Sequence, residues 1–277
     1  MSESAIELHP ESKALLAEIA LLGEELARLL ADEHDLIHIV KPNLFALYQQ
    51  KVGAWELQRL QAQVAMLRTK RMLELAQAAV NRGRTPDWTA IDGHLELEFV
   101  AWQQRIKEAA GQVTAAGHLL KNLLPPEDAR ELKKLYHALV KRLHPDLNPK
   151  LTEDQRRLWL RVQSAYESGD IGELRALALL VDQRVPAAVT PAALDALRRD
   201  RDALQKQVAE MPRRIEAIES QPPFTLRAQL SDEAWVAARR QELETGIAHF
   251  DAPRAALDAP LQALMKSSDD GKIFGPN

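Results

Sequence analysis

The stretch Leu132-Lys133-Lys134-Leu135-Tyr136-His137-Ala138-Leu139-Val140-Lys141-Arg142-Leu143-His144-Pro145-Asp146-Leu147-Asn148-Pro149 governs how this sequence is read. Leu132, Leu135, Tyr136, Leu139 and Leu143 recur at three- and four-residue steps and predict one apolar helix face. Lys133, Lys134, His137, Lys141 and Arg142 fall largely on the other faces, so the helix is basic as well as amphipathic. Pro145 disfavours helical geometry at His144, which should stop the helix, and Pro149 closes the loop on its far side. The outcome is a short, stiff His144-Pro145-Asp146 tip at the end of a basic helix. Beyond it Thr152 suits an N-cap, with Glu153 and Asp154 in the first turn where the helix dipole favours acid. Leu158, Trp159, Val162, Ala165 and Tyr166 give this second helix its own apolar face. Gly169 is placed to end it, and Asp170 to cap a third short helix through Leu174, Leu177 and Leu180.

Upstream, Glu11 to Asp32 carries Leu15, Ile19, Leu22, Leu26, Leu29 and Leu30 at helical spacing. Asp35 to Val40 reads as a short irregular connection, the one place where a strand is admissible. Pro42 fits the first turn of a long helix to about Arg82, with Leu57, Leu60, Val64 and Leu67 at coiled-coil spacing. Arg82-Gly83-Arg84-Thr85-Pro86 breaks it, and Asp87 or Thr89 caps a second long helix through Phe99, Ile106 and Val113 to about Asn122. Two such helices joined by a short turn imply an antiparallel hairpin. Pro125-Pro126 ends this part.

Downstream, Arg184 to Pro191 reads as a linker, and Thr190 with Pro191 opens another helix. Its Leu194, Leu197, Arg201, Leu204, Val208, Met211, Ile215 and Ile218 form a heptad seam broken only by Arg201, and Pro212 should kink it. Ser231 is placed to open a return helix with Val236, Leu243, Ile247, Phe250, Leu257, Leu261 and Leu264 on one side. Pro253 and Pro260 should bend or divide that helix, and the polar tail from Ser267 should fray. The domain reading is therefore a helix with a long hairpin over 1–124, a compact module over 125–182, and a C-terminal hairpin over 183–277.

Composition agrees with an all-α chain of 277 residues: only 5% are aromatic, and 11 Gly with 15 Pro are too few for a fold full of tight β-turns. The absence of cysteine excludes disulfides, thiolate metal sites and cysteine nucleophiles. The acidic N-terminus lacks signal-peptide features and no apolar run reaches the ~18 residues of a membrane span, so a cytoplasmic location and no membrane partner are expected. The net charge of −4 hides a local excess: from Arg130 to Arg161 nine Lys/Arg face four Asp/Glu, or +5.

The middle segment resembles the J domain of the DnaJ family of Hsp70 co-chaperones. The resemblance covers about Pro126 to Asp170 and rests on four parts in order: the basic Lys133-Lys134-Leu135-Tyr136, the tripeptide His144-Pro145-Asp146, Asn148-Pro149, and Ala165-Tyr166-Glu167. It implies docking on an Hsp70 of the DnaK type and stimulation of its ATP hydrolysis. Carried over residue by residue, His144, Pro145 and Asp146 are the essential tip, with Asp146 meeting a cation on the partner. Lys133, Tyr136, His137, Lys141 and Asn148 complete the implied Hsp70-binding set. The sequence departs from the family pattern in lacking the usual first helix just before Pro125, which Leu119 to Leu124 could replace. It also lacks a basic fourth helix, a Gly/Phe-rich segment and a cysteine-based zinc domain. The hairpins are then expected to recruit a protein client or a second copy of the chain as a homodimer.

The alternative is a coiled-coil scaffold whose J-like module is only a packing element. His34 and His38 stand four apart like a metal pair, yet no third ligand is evident, and no metal or other cofactor is expected. Nucleic acid is not expected either, because no groove-reading motif accompanies the basic residues. No phosphate loop, nucleophile elbow or metal-binding helix proposes a reaction, so the chain is read as a non-enzyme.

Overall fold

The computed structural model describes residues 10–182 and 194–269, and among these no strand occurs. The chain is all-α. In order the helices are α1 (Pro10–Asp35), α2 (Lys41–Tyr48), α3 (Ala54–Val80), α4 (Trp88–Glu98), α5 (Val100–Lys121) and α6 (Pro126–Leu143). They continue with α7 (Glu153–Glu167), α8 (Ile171–Asp182), α9 (Leu194–Glu219), the short α10 (Arg227–Ser231) and α11 (Glu233–Asp269). No helix among the described residues is long and apolar enough to cross a membrane. The expected linker at 184–191, the Thr190–Pro191 helix start and the tail beyond Asp269 lie outside the described residues, while Ser267, expected to begin the frayed tail, is still within α11.

Local punctuation falls close to the expected positions, with instructive exceptions. Leu36–Val40, read as an irregular or strand-forming link, is instead a π-helical turn between helical neighbours. Its Ile and Val favour strand only where another strand can pair with them, and none is present here among the described residues. Gly83 adopts φ +67° in the turn after α3, and Asp87 caps α4 by accepting from Ala90 N at 3.0 Å. The single helix expected from there to Asn122 is interrupted at Phe99, which leaves helical geometry at φ −99°, ψ 6°. Asp232 rather than Ser231 caps α11, accepting from Ala234 N and Trp235 N at 2.9 and 3.3 Å. Pro253 and Pro260 stay inside that undivided helix, as Pro212 does inside α9.

The chain forms two compact units, Met1–Pro42 with Asn122–Thr225, and Asn43–Lys121 with Leu226–Asn277. This differs from the sequential three-part division read from sequence. The seam of α9 packs on α1 and the seam of α11 packs on α3, so each of the two C-terminal helices takes a partner within its own unit. A heptad pattern specifies an apolar face, but charges beside it choose the partner. Arg201, the break in the α9 seam, faces Glu18 of α1 at 3.4 Å; Arg198 pairs with Glu11, and Arg214 with Glu33 at 2.6 and 2.8 Å.

In the first unit the core joins Leu26, Ala27, Leu30 and Ala31 of α1 to Leu132, Tyr136, Leu139, Val140 and Leu143 of α6. Trp159, Val162, Ala165 and Tyr166 of α7, Leu174 and Leu177 of α8, and Met211 of α9 complete it. Thus α1, distant along the chain, covers apolar surface for which the sequence suggested only Leu119 to Leu124 before Pro125. In the second unit Val64 and Ala76 of α3 pack on Ile91, Leu95 and Phe99, while Arg68 bridges to Asp92 and Glu96 at 2.6 and 2.7 Å. There α11 comes close to α3 at Gly246, where a Cβ would lie 3.0 Å from Arg59 Cδ.

Candidate functional site

The site is built on α6. Pro126 occupies its first turn with Glu127 and Asp128, and Lys141 and Arg142 occupy the last, so both ends complement the helix dipole. His144 N closes the last turn on Val140 O at 2.9 Å, and His144 itself is extended at φ −68°, ψ 129°, as the following proline requires. The loop then folds onto its own carbonyls. His144 O accepts from Leu147 N and Asn148 N at 3.1 and 2.9 Å. The Asn148 side-chain amide donates to Lys141 O and His144 O, both at 3.2 Å. Asn148, expected in the partner-binding set, spends its amide on shaping the loop.

The α7 helix that backs this loop starts with a capping box. Thr152 Oγ1 accepts from Gln155 N at 3.3 Å and Gln155 Oε1 accepts from Thr152 N at 2.9 Å. It ends at Gly169, whose φ of +73° is the left-handed conformation that closes many helices, and Asp170 Oδ1 then accepts from Glu173 N at 2.9 Å to start α8. These caps are the ones the sequence proposed.

His144 lies edge-on to the Trp159 ring at 5.0 Å, and its Nδ1 accepts from Asp146 N at 3.2 Å. Burial pushes the imidazole below its ordinary pKa, with the Arg214 cation adding to the effect against the pull of Asp146. An unprotonated Nδ1 is what the Asp146 amide needs as acceptor. Pro145 and Asp146 are exposed, and among the described residues the Asp146 carboxylate has no ion-pair partner. His144 and Asp146 border a cleft of about 110 Å³ that Glu33, His34, Trp159 and Arg214 also line.

The rest of the implied docking set is arranged otherwise. Tyr136 is 1% exposed and stacks on Tyr166 at 4.0 Å, so it is a core residue, not a surface contact. Burial raises its hydroxyl pKa, and Glu167 adds to the rise. Lys133 Nζ lies 3.0 Å from Asp32 Oδ1 and 3.3 Å from Asp35 Oδ2. Partial desolvation works against its charge, but the two carboxylates outweigh it and hold its pKa above the ordinary lysine value. Lys141 pairs with Glu24, whose pKa its hydrogen bond lowers, and His137 Nε2 stands 3.7 Å from Glu24 Oε1. The basic face read from sequence is therefore matched by an acidic row on α1. Lys134 remains exposed, without an ion pair among the described residues.

The third group that His34 and His38 lacked in the sequence is Glu167, the last residue of the Ala165-Tyr166-Glu167 signature. Its distance along the chain concealed it, and only the packing of α7 beside α1 brings it near. Tyr166 contributes to that packing by donating to Asp35 Oδ1 at 2.8 Å. Compared with protein-family models, curated proteins and solved structures, the chain matches none.

Proposed function

We propose that the first unit acts as a J-domain-like co-chaperone module that binds an Hsp70 in the cytoplasm and stimulates its ATP hydrolysis. The observation that supports this best is the exposed His144-Pro145-Asp146 tip at the end of the basic helix α6. Asn148 holds the tip in place, and the aromatic-bearing α7 backs it. Such a tip offers a carboxylate with no ion pair among the described residues on a preshaped loop, which lowers the ordering cost of meeting a cation on a partner. The helices of the second unit are the proposed site for a protein client or a second copy of the chain.

A second reading has its own support. The pairing of Lys133 and Lys141 with α1 acids favours a helical scaffold in which α6 serves mainly to pack. Binding of the full chain to an immobilised cognate Hsp70 separates the two. The co-chaperone reading expects saturable binding that His144→Gln and Asp146→Asn each weaken at least tenfold. Absence of binding by the wild-type chain, or equal binding by both variants, leaves the scaffold reading in its place.

A further inference from the structure

His34 lies in the last turn of α1, His38 lies in the π-helical turn that follows, and Glu167 ends α7. One ligand atom from each lies within 4.8 Å of the other two. Glu167 Oε1 is 3.3 Å from His38 Nδ1 and 3.7 Å from His34 Nε2, and the two imidazole rings stack at 4.2 Å. A π turn is uncommon and often accompanies a functional position, because it rotates the following side chains out of ordinary α-helical register. We propose that His34, His38 and Glu167 form a binding site for a divalent transition-metal ion of the zinc class, tying α1 to the end of α7. This inference is independent of the Hsp70 reading.

The donor chemistry selects the class of ion. Two imidazole nitrogens and one carboxylate oxygen suit zinc and its neighbours, whereas magnesium and calcium prefer all-oxygen shells. The geometry is close to what such an ion needs. A tetrahedron with arms of about 2.0–2.1 Å has edges of about 3.3 Å, so the widest separation closes by at most about 1.5 Å. That movement falls to His38 and Glu167, whose side chains are 38% and 43% exposed, while His34 is fixed in the interior at 11%. The Tyr136 and Tyr166 rings wall His34 in at 4.9 and 5.6 Å.

His34 carries the strongest local sign. Its Nε2 is buried without a hydrogen-bond partner, a state that buried polar atoms rarely keep unless something else satisfies them. Three protein ligands leave a fourth position facing the solvent side, open to water or to a further group.

Titrating the chelator-stripped full chain with zinc chloride at pH 7.5, with magnesium chloride as control, tests the site without any Hsp70. The expected result is one tightly bound zinc per chain and no response to magnesium, with affinity at least tenfold weaker in His38→Ala and in Glu167→Gln. Both substitutions lie on the half-exposed side, and circular dichroism verifies that the helices persist. Zinc should also raise the Tm of the wild-type chain but not of His38→Ala, as expected when a ligand binds only the folded state. Absence of stoichiometric binding by the wild-type chain overturns the proposal. Undiminished binding in both variants also overturns it, by assigning the ion to other groups.

Discussion

Lys133 on α6 and Asp146 on the loop that follows belong to one short motif, yet the fold gives them opposite circumstances. Lys133 is held between Asp32 and Asp35 at 3.0 and 3.3 Å, whereas Asp146 stands exposed with no ion-pair partner among the described residues. The same contrast separates Lys141, paired with Glu24, from the tip it precedes. A partner reaching the tip breaks no ion pair of Asp146 among the described residues, but one reaching the basic face must also displace the acids of α1. The local excess of +5 is therefore not a free patch, and long-range attraction of an acidic surface is weaker than the sequence alone suggests. Face and tip should respond differently to mutation, salt and pH.

The largest expected effect belongs to Tyr136, the member of the implied docking set that lies on the buried apolar face of α6. Tyr136→Ala removes a fully buried ring from the stack with Tyr166 and Trp159, and should cost about 3–5 kcal/mol in urea denaturation. A loss below ~1 kcal/mol would return Tyr136 to the surface set and remove the contrast.

Acidification comes next. His34 is held near pKa 4 by burial against about 6.5 in the unfolded chain, so the unfolded state takes up the proton first as pH falls. The stability it contributes is complete above about pH 6.5 and declines toward pH 4, by about 2–3 kcal/mol. The buried His144 is displaced in the same direction. Denaturation with a chelator present at pH 7 and at pH 4.5 measures the decline, and His34→Phe should flatten it.

The paired lysine should matter less. Lys133→Ala breaks two half-exposed ion pairs, with an expected loss of about 1 kcal/mol that shrinks in ~1 M salt. Asp146→Asn should change stability by no more than about 0.5 kcal/mol, because that carboxylate is exposed and has no ion-pair partner among the described residues. A cost for Asp146→Asn as large as for Lys133→Ala would erase the distinction between tip and face.

Much of this arrangement is legible in the sequence. Thr152, Gly169, Asp170 and Pro145 mark boundaries through local chemistry, which depends on a few neighbouring residues and is therefore written in the sequence. The apolar face of α6 was likewise readable from its spacing. What packs on that face was not. Leu26 and Leu30 sit far from Tyr136 along the chain, and the seams of α9 and α11 fit any complementary helix equally well as patterns. Their choice of α1 and α3 is accompanied by long-range pairs, Glu18–Arg201 and Glu33–Arg214 for α9 and Glu56–Arg239 for α11, which have no local signature. For the same reason the acidic row on α1 and the approach of Glu167 to His34 and His38 escaped a reading that moves along the chain.

The most direct test is single-turnover ATP hydrolysis by the cognate Hsp70 with the full chain, with Asp146→Asn, and with Glu24→Gln combined with Asp32→Asn. The account predicts stimulation by the wild-type chain, its loss in Asp146→Asn, and stronger stimulation at lower protein concentration once Glu24 no longer holds Lys141 and Asp35 alone still holds Lys133. Equal stimulation by wild type and Asp146→Asn, or none by any of the three chains, would contradict it.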